Sequence, residues 1–398
     1  MTASVSDWEQ MPFQVMKASH RLVDIWIGSE ENDQADYHYG GTRLVAPDTD
    51  EDHVVSILVA LGKYESGIKN KLINRALESN VMNGLGQRLP SSFEKSKVYG
   101  GRCVIRPKKA EVAKVLEQPE SSAFLNMATD IFATIGTILN EQHGRIKLTP
   151  DFGRFGGIAD ILKQFTPNVL GINCEQGGCG GKSSYTVTGI TEAIRWCREK
   201  QMSSTPVTLI GCAGALGSGV MEYFLDGAPE SDLALCDLAY DANQTKPDIS
   251  RGRVLRALEG RFTDECLSRG GLVVATTVGA ELEHSNWSVL CEKTVLLMAH
   301  NRALPNGALG IELAREVAKT GTYMVPGQIL TLGGALTARL EWFWRQANPG
   351  QPFDKLMAHE VVKRIVRFCL DDMFALATDL SITPYEAMLQ MALDHNFA

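Results

Sequence analysis

The chain runs to 398 residues, 44% hydrophobic and 22% charged, an ordinary globular composition on a chain long for a single core, so two domains are expected. Its net charge of −8 provides no basic face for nucleic acid or an anionic membrane. No run reaches the roughly eighteen apolar residues of a membrane span, and the polar, acidic opening MTASVSDWEQ is not a secretory signal, so the expected compartment is the cytoplasm.

In chain order, HRLVDIWIG (20–28) alternates as a half-buried strand does, and GGTRLVAP (40–47) gives another short strand entered through two glycines. Asp50 to Leu77 reads as mostly helical, and SGIKNKLINRALESNVMNGLGQRLPSS (66–92) includes a loop with Gly84, Gly86 and Pro90 that reads as an insertion. KSKVYGGRCVIRP (95–107) is a β-rich run interrupted by Gly100 and Gly101, continued by Arg102 and stopped by Pro107. Glycine inside a strand marks a bulge, or a close approach by another backbone or a ligand. SSAFLNMATDIFATIGTILNEQ (121–142) is an apolar helix. These elements predict an α/β domain with a mixed sheet over residues 1–189, the substrate and oligomerisation domain.

From residue 190 the pattern changes. PVTLIG (206–211), DLALCD (232–237), GLVVATTVG (271–279), TVLLMAH (294–300) and TYMV (322–325) are short apolar strands, separated by helical stretches such as GALGSGVMEYFLDG and ALGIELAREVAKTG. That alternation predicts a parallel, doubly wound sheet of Rossmann type over 190–335. Residues 336–398 read as helices that pack back on the first domain. The nine cysteines form no CxxC pair and the eight histidines no HExxH motif. Reduced, buried thiols and no metal site are therefore expected.

VTLIGCAGALGSG (207–219) lies between a predicted strand and a predicted helix, the context that a dinucleotide fingerprint requires. The glycines Gly211, Gly214 and Gly217 are spaced GxxGxxG; read as GxGxxG, Cys212 takes the first glycine's place. A glycine in the turn lets the backbone approach a pyrophosphate, and another lets the helix pack closely on the strand. The helix N-terminus then faces the phosphates with unpaired amides. The expected pyrophosphate turn is thus Gly211, Cys212, Ala213, Gly214, Ala215, Leu216 and Gly217. Asp237 closes the next strand, where an acid bonds the ribose hydroxyls of NAD. No Arg or Lys follows it until Lys246, which favours NAD over NADP. Thr276, after the third strand of the series, is assigned to the same cofactor site.

In the order of its segments the chain resembles the glutamate/leucine/phenylalanine/valine dehydrogenases, which oxidatively deaminate amino acids with a nicotinamide cofactor. GGTRL (40–44), with Gly40 and Gly41, resembles that family's substrate-side glycine turn, and YGGRCVI its glycine-rich GGGK-x-V-I strand. LTPDFG (148–153) is similar to the segment with the catalytic aspartate, which places that role on Asp151. SSYTVTGI (183–190) resembles the threonine-containing start of the helix that leads into the cofactor domain, with Thr186 as its threonine. MAHNRALP (298–305) resembles the loop near the nicotinamide, giving Asn301, and LTLGGALTA (330–338) resembles the INAGG turn, with Thr331 and Gly333 on the substrate side. The resemblance implies two domains, NAD as cofactor, a small-molecule substrate held between the domains, and a homo-oligomer, dimer or higher, assembled through N-terminal domains.

The departures bear on the chemistry. In the family one lysine anchors the substrate carboxylate and a second, after the glycines, is the catalytic base. The second position here is Arg102. A lysine can be tuned to titrate near neutrality, whereas a guanidinium, with a pKa above about 12, stays charged. Arg102 can bind a carboxylate or polarise a carbonyl, but it cannot act as the base. Lys69 and Lys71, in GIKNK, lie near the first lysine's place, with Lys95 and Lys97 as alternatives and all four equally readable as solvated surface lysines. Asp151, after Pro150, is equally readable as a turn residue. Lys182, in CEQGGCGGKSS (174–184), either meets an anion or belongs to a surface loop.

The function expected from these residues is an NAD-dependent oxidoreductase acting on an amino acid, imino acid or 2-oxo acid. Without the usual base, an atypical biosynthetic substrate such as an imine or a ketone is favoured. Two alternatives stand beside it: a catalytically silent dinucleotide-binding regulator or scaffold, and an enzyme that uses NAD on an amino acid without net redox change.

Overall fold

Two sheets organise the chain, one in each of two compact units. One unit comprises Ser6–Lys182 with Ala335–Ala358, the other chiefly Ser183–Gly334 with His359–Ala398. The computed structural model describes all residues except 1–7, 9, 86–88, 119–120, 151–156, 203–204, 227–231, 242–251, 302 and 395–398.

The N-terminal unit has a mixed five-stranded sheet of β1 (Phe13–Ser19), β2 (Val23–Glu30), β3 (Tyr37–Leu44), β4 (Val98–Pro107) and β5 (Ile146–Thr149), in the order 1-2-4-3-5. β1–β2 and β2–β4 are antiparallel, while β3 is parallel to both β4 and β5. Period-two alternation splits the side chains between two faces. Ile25, Ile27, Cys103 and Ile105 join one core with Phe124, Ala128, Ile131, Phe132 and Ile135. The latter five belong to a helix over Ser122–Glu141, 20 residues long and apolar enough by composition to cross a membrane, whose buried face packs on this sheet.

Trp26 and Val104 point the other way, onto Val54 and Leu58 of α1 (Glu51–Ala60). Asp50 caps α1 by accepting from His53 N at 2.8 Å. The helix does not end at Ala60: it continues through a π-helical segment, Leu61–Gly67, into α2 (Ile68–Glu78). The π segment lies against β4 at backbone contact. A Cβ on Gly100 would sit 2.3 Å from the Gly62 carbonyl oxygen and 2.9 Å from Gly67 Cα. Gly100 is therefore glycine because a helix backbone occupies the space that a side chain would need. Numbering the Ser122–Glu141 helix α3, the further long helices are α4 (Ser183–Glu199), α5 (Ala215–Asp226), α6 (Ala308–Ala318), α7 (Leu332–Ala347), α8 (Lys355–Leu380) and α9 (Pro384–Asp394).

The chain returns to the N-terminal unit within α7 and leaves it within α8, so Ala335–Ala358 makes the return and His359–Ala398 belongs to the second unit. Arg339 of α7 anchors the return. It is fully buried and donates from Nη1 to Asn74 Oδ1 at 2.7 Å and from Nε to Ser96 Oγ at 3.0 Å.

The second unit carries β6 (Val207–Ile210), β7 (Leu233–Cys236), β8 (Arg253–Leu255), β9 (Leu272–Ala275), β10 (Val295–Met298) and β11 (Tyr323–Val325), all parallel, in the order 11-10-9-6-7-8. The four-residue strands β6, β7, β9 and β10 are buried throughout, as strands covered on both faces must be. The strand order reverses between β6 and β9, which creates the crevice at the carboxyl ends where open α/β sheets bind ligands.

Candidate functional site

The turn from β6 into α5 is built by two glycines in contact. Gly211 has φ +81°, a conformation that L side chains rarely adopt. A Cβ on Gly217 would lie 2.1 Å from the Gly211 carbonyl oxygen, so only glycine lets the helix start this close to the strand. Ala213, Gly214 and Ala215 are exposed at the outside of the turn, and a Cβ on Gly214 would meet only the Gly211 carbonyl, at 3.4 Å. Leu216 follows in the first turn of α5, where backbone N–H groups have no intrahelical acceptor. This cradle suits a pyrophosphate, whose charge the helix N-terminus favours.

Cys212, in the place of the first fingerprint glycine, turns its side chain inward. It is fully buried with Sγ 3.5 Å from the Cys236 carbonyl oxygen, and burial pushes its thiol up to about 11. Asp237, after β7, accepts from Ala213 N at 2.8 Å and Ala239 N at 2.9 Å, one bond on each oxygen. It braces the turn and keeps lone pairs for ribose hydroxyls. Thr276, after β9, lies 3.0 Å from the carbonyl oxygens of both Ile210 and Gly211, tying the two strands at the switch point. Lys246 lies outside the described residues.

Farther along the same edge, Asn301 and Thr331 come together. Thr331 Oγ1 is 2.8 Å from Asn301 Oδ1 and 2.6 Å from the Gly327 carbonyl oxygen. Gly333 packs on the start of α4: its Cβ would lie 2.3 Å from the Tyr185 carbonyl oxygen and 3.1 Å from Thr186 N. Thr186 is buried beside that contact. The second unit thus places Gly211–Gly217, Asp237, Thr276 and Asn301 at the carboxyl edge of one sheet.

In the N-terminal unit the candidate cations Lys69, Lys71 and Arg102 are buried rather than solvated. Lys71 Nζ is 2.5 Å from Glu30 Oε1, with both side chains at most 1% exposed. It also lies 4.4 Å over the Trp8 ring. Burial holds its pKa below the usual lysine value and Glu30 opposes that shift. Glu30 Oε2 accepts from Gly100 N at 2.6 Å, so the same acid holds helix and strand together. Arg102 faces the π segment, with Nη1 3.3 Å from Glu65 Oε1, while its Nε has no partner and its side chain is 6% exposed. Lys69 is buried, Lys97 pairs with Glu78, and Lys95 is exposed.

Gly40 and Gly41 lie in the middle of β3, where a Cβ on Gly40 would sit 1.6 Å from the Gly101 carbonyl oxygen. Asp151 lies outside the described residues. Lys182 is half-buried. The loop that precedes it is pinned by Glu341, which accepts from Cys179 N at 2.9 Å and Gly171 N at 3.0 Å. Among the described residues no cluster of three or more His, Cys, Asp or Glu can hold a metal ion.

The counter-ions Glu30 and Glu65 are additions that sequence reasoning missed. For Glu30 a signal existed: period-two alternation puts it on the face of Trp26 and Gly28.

No protein-family model matches the chain, and no characterised protein matches it by sequence. Solved structures match by shape. L-tryptophan dehydrogenase from Nostoc punctiforme superposes with a TM-score of 0.64 at 16% identity, covering 98% of this chain and 97% of that one. Glutamate dehydrogenase from Peptoniphilus asaccharolyticus gives 0.60 at 16% identity over 98% and 91%. Hetero-hexameric glutamate dehydrogenase from Thermus thermophilus gives 0.62 at 13% identity over 97% and 88%. The chain has the amino acid dehydrogenase fold, a mixed-sheet α/β unit joined to a Rossmann-type unit, as the resemblance of its segments implied.

Proposed function

We propose that the chain is an NAD-dependent oxidoreductase acting on an amino acid, imino acid or 2-oxo acid. The glycine cradle at the strand-order reversal, braced by Asp237, carries this proposal. Bound NAD supplies the hydride acceptor and the protein supplies the rest. Gly211 to Gly217 hold the pyrophosphate, Asp237 the ribose, and Thr276 and Asn301 border the cofactor on the β9–β10 side. Gly40, Gly41, Thr331 and Gly333 are assigned to the substrate side, as is Asp151, there to orient a water.

Arg102 is the carboxylate anchor. Among the described residues the guanidinium pairs with Glu65 at 3.3 Å and its Nε is unpartnered, which keeps donors for a second acid. Lys71 is committed to Glu30, which leaves Lys69 as the other candidate cation. A fixed cation without a neighbouring lysine base favours an imine or a ketone as substrate, because either needs less proton transfer than deamination. We place the enzyme in the cytoplasm as a homo-oligomer, which size-exclusion chromatography with light scattering tests.

The experiment is turnover of NADH with pyruvate, phenylpyruvate and 2-oxoglutarate, each with and without ammonia, and with a cyclic imino acid. Turnover of at least one supports the proposal. Tight NADH binding with no turnover overturns it in favour of a silent dinucleotide-binding protein. Arg102→Ala is expected to raise KM for the active substrate by roughly 30-fold, as expected for loss of a charge-assisted contact, with NADH affinity unchanged. An Arg102→Ala protein with the parent's KM removes the anchor role.

A further inference from the structure

The second unit holds an acid–base couple that the assignments above do not use. His300 lies two residues beyond β10 and Glu281 lies in the segment after β9, so both belong to the carboxyl edge of the sheet. Among the described residues neither ring nitrogen of His300 has a hydrogen-bond partner, and neither has Glu281 Oε2 or Thr277 Oγ1. His300 is 5% exposed, and its Nε2 is 4.0 Å from Glu281 Oε2. The other oxygen of Glu281 is fixed by the Gly279 N–H at 3.1 Å. In the same segment Val278 is 93% exposed, an apolar side chain presented to solvent between unpaired polar atoms. Native folds rarely leave buried polar atoms unpaired, and each such group calls for a use.

The position within the sheet narrows that use. Asp237 marks the β7 side of the crevice as the adenosine side, so the nicotinamide half of a dinucleotide falls toward β9 and β10. His300 is the residue before Asn301. We propose that His300, with the Glu281 carboxylate beside it, exchanges the reaction's proton with the substrate, the duty that Arg102 cannot perform. This rests on the oxidoreductase proposal above.

In the oxidative direction the substrate's C–H electron pair leaves as hydride to the acceptor that NAD supplies. The substrate's N–H or O–H proton passes to His300, and the electron pair of that bond becomes the new C=N or C=O bond. Nε2 is the ring nitrogen nearer Glu281; in the tautomer that places the proton there, Nδ1 carries the accepting lone pair. Burial holds the imidazole below the usual histidine value, with Glu281 opposing, and among the described residues Glu281 is the ionisable group that faces it. The ring is therefore neutral and able to accept a proton at neutral pH, and the carboxylate stabilises the imidazolium that forms.

The test uses the full-length protein, NAD(H) and the panel compound that the parent turns over. His300→Gln is expected to lower turnover by roughly 100-fold or more, with NADH affinity in fluorescence titration changed less than about threefold. The lost activity should return in part when imidazole is added to His300→Ala. Without substrate, NMR of isotope-labelled histidine should show His300 titrating lower still in Glu281→Gln, since the carboxylate that favours its charged form is gone.

Should His300→Gln fail to fold, Glu281→Gln turnover and the NMR titration decide. A parent that turns over, with His300→Gln and Glu281→Gln equally active, overturns the proton role and leaves the oxidoreductase proposal standing. Loss of NADH binding in step with turnover assigns the couple to the cofactor pocket and also overturns the proton role. A parent that binds NADH without turning over any panel compound overturns both.

Discussion

Lys71→Ala is expected to destabilise the N-terminal unit by about 3–5 kcal/mol, because it leaves the Glu30 carboxylate buried without its cation. The two side chains are at most 1% exposed and 2.5 Å apart, so bulk water does not solvate the carboxylate in the lysine's place. Among the described residues Glu30 then keeps its bond from Gly100 N, one donor for a charge that needs several. The double variant Lys71→Met with Glu30→Gln should recover most of the loss, since no charge is buried and the glutamine carbonyl still accepts from Gly100 N. Unfolding in urea, followed by hydrogen exchange at the β4 amides, checks both, since a two-unit chain need not unfold in one step. A Lys71→Ala protein as stable as the parent would mean that the pair contributes nothing net. The double variant also separates structure from function: a normal KM in that background removes Lys71 from the substrate site and leaves Lys69 and Arg102.

Gly217→Ala is expected to weaken NADH binding by roughly 100-fold or more, in line with the loss of several charge-assisted contacts to phosphate. The added Cβ would lie 2.1 Å from the Gly211 carbonyl oxygen and 2.7 Å from Cys212 Cα. Both are backbone atoms, so no side-chain rotation relieves the clash. The turn must open, and Ala213 N then leaves Asp237, the contact that bridges β6 and β7. Gly214→Ala, where a Cβ meets only the Gly211 carbonyl at 3.4 Å, should be far milder in the apo protein. NADH fluorescence titration of both variants, with circular dichroism to verify the fold, is the measurement. Equal affinity in Gly217→Ala and the parent would move the cofactor site away from this turn.

What was legible in the sequence is what is local. The strands of the second unit are short apolar runs buried on both faces, so composition alone announces them, and the glycine turn is a contiguous segment whose spacing encodes its geometry. The strands β1, β5 and β8 were not foreseen. β1 is largely exposed, β8 has three residues with two exposed, and β5 has four residues around Lys147; none offers a periodic signal.

The ion pairs were illegible for another reason. Glu30 meets Lys71 across 41 residues and Arg102 meets Glu65 across 37, and nothing in either segment names the partner. Gly100 illustrates the limit most directly. The sequence demanded a close neighbour there and left open whether that neighbour is a ligand or a backbone; the structure puts the Gly62–Gly67 backbone in the space.

The π-helical segment Leu61–Gly67 has a geometric consequence of its own. Such a segment is equivalent to one residue inserted into an α-helix, and each residue turns the helix by about 100°. The azimuth of α2 about its axis, and with it the direction in which Lys71 and Asn74 point, is therefore set by the extra residue upstream. Lys71 reaches Glu30, and Asn74 reaches Val98 and Arg339, because the helix is overfilled by one residue before either of them. The π segment acts as a phase shifter: it decouples the face that α1 shows to Trp26 from the face that α2 shows to the charged residues of the sheet. A lineage could re-aim those polar side chains by gaining or losing a single codon there, without changing the residues of α2 themselves.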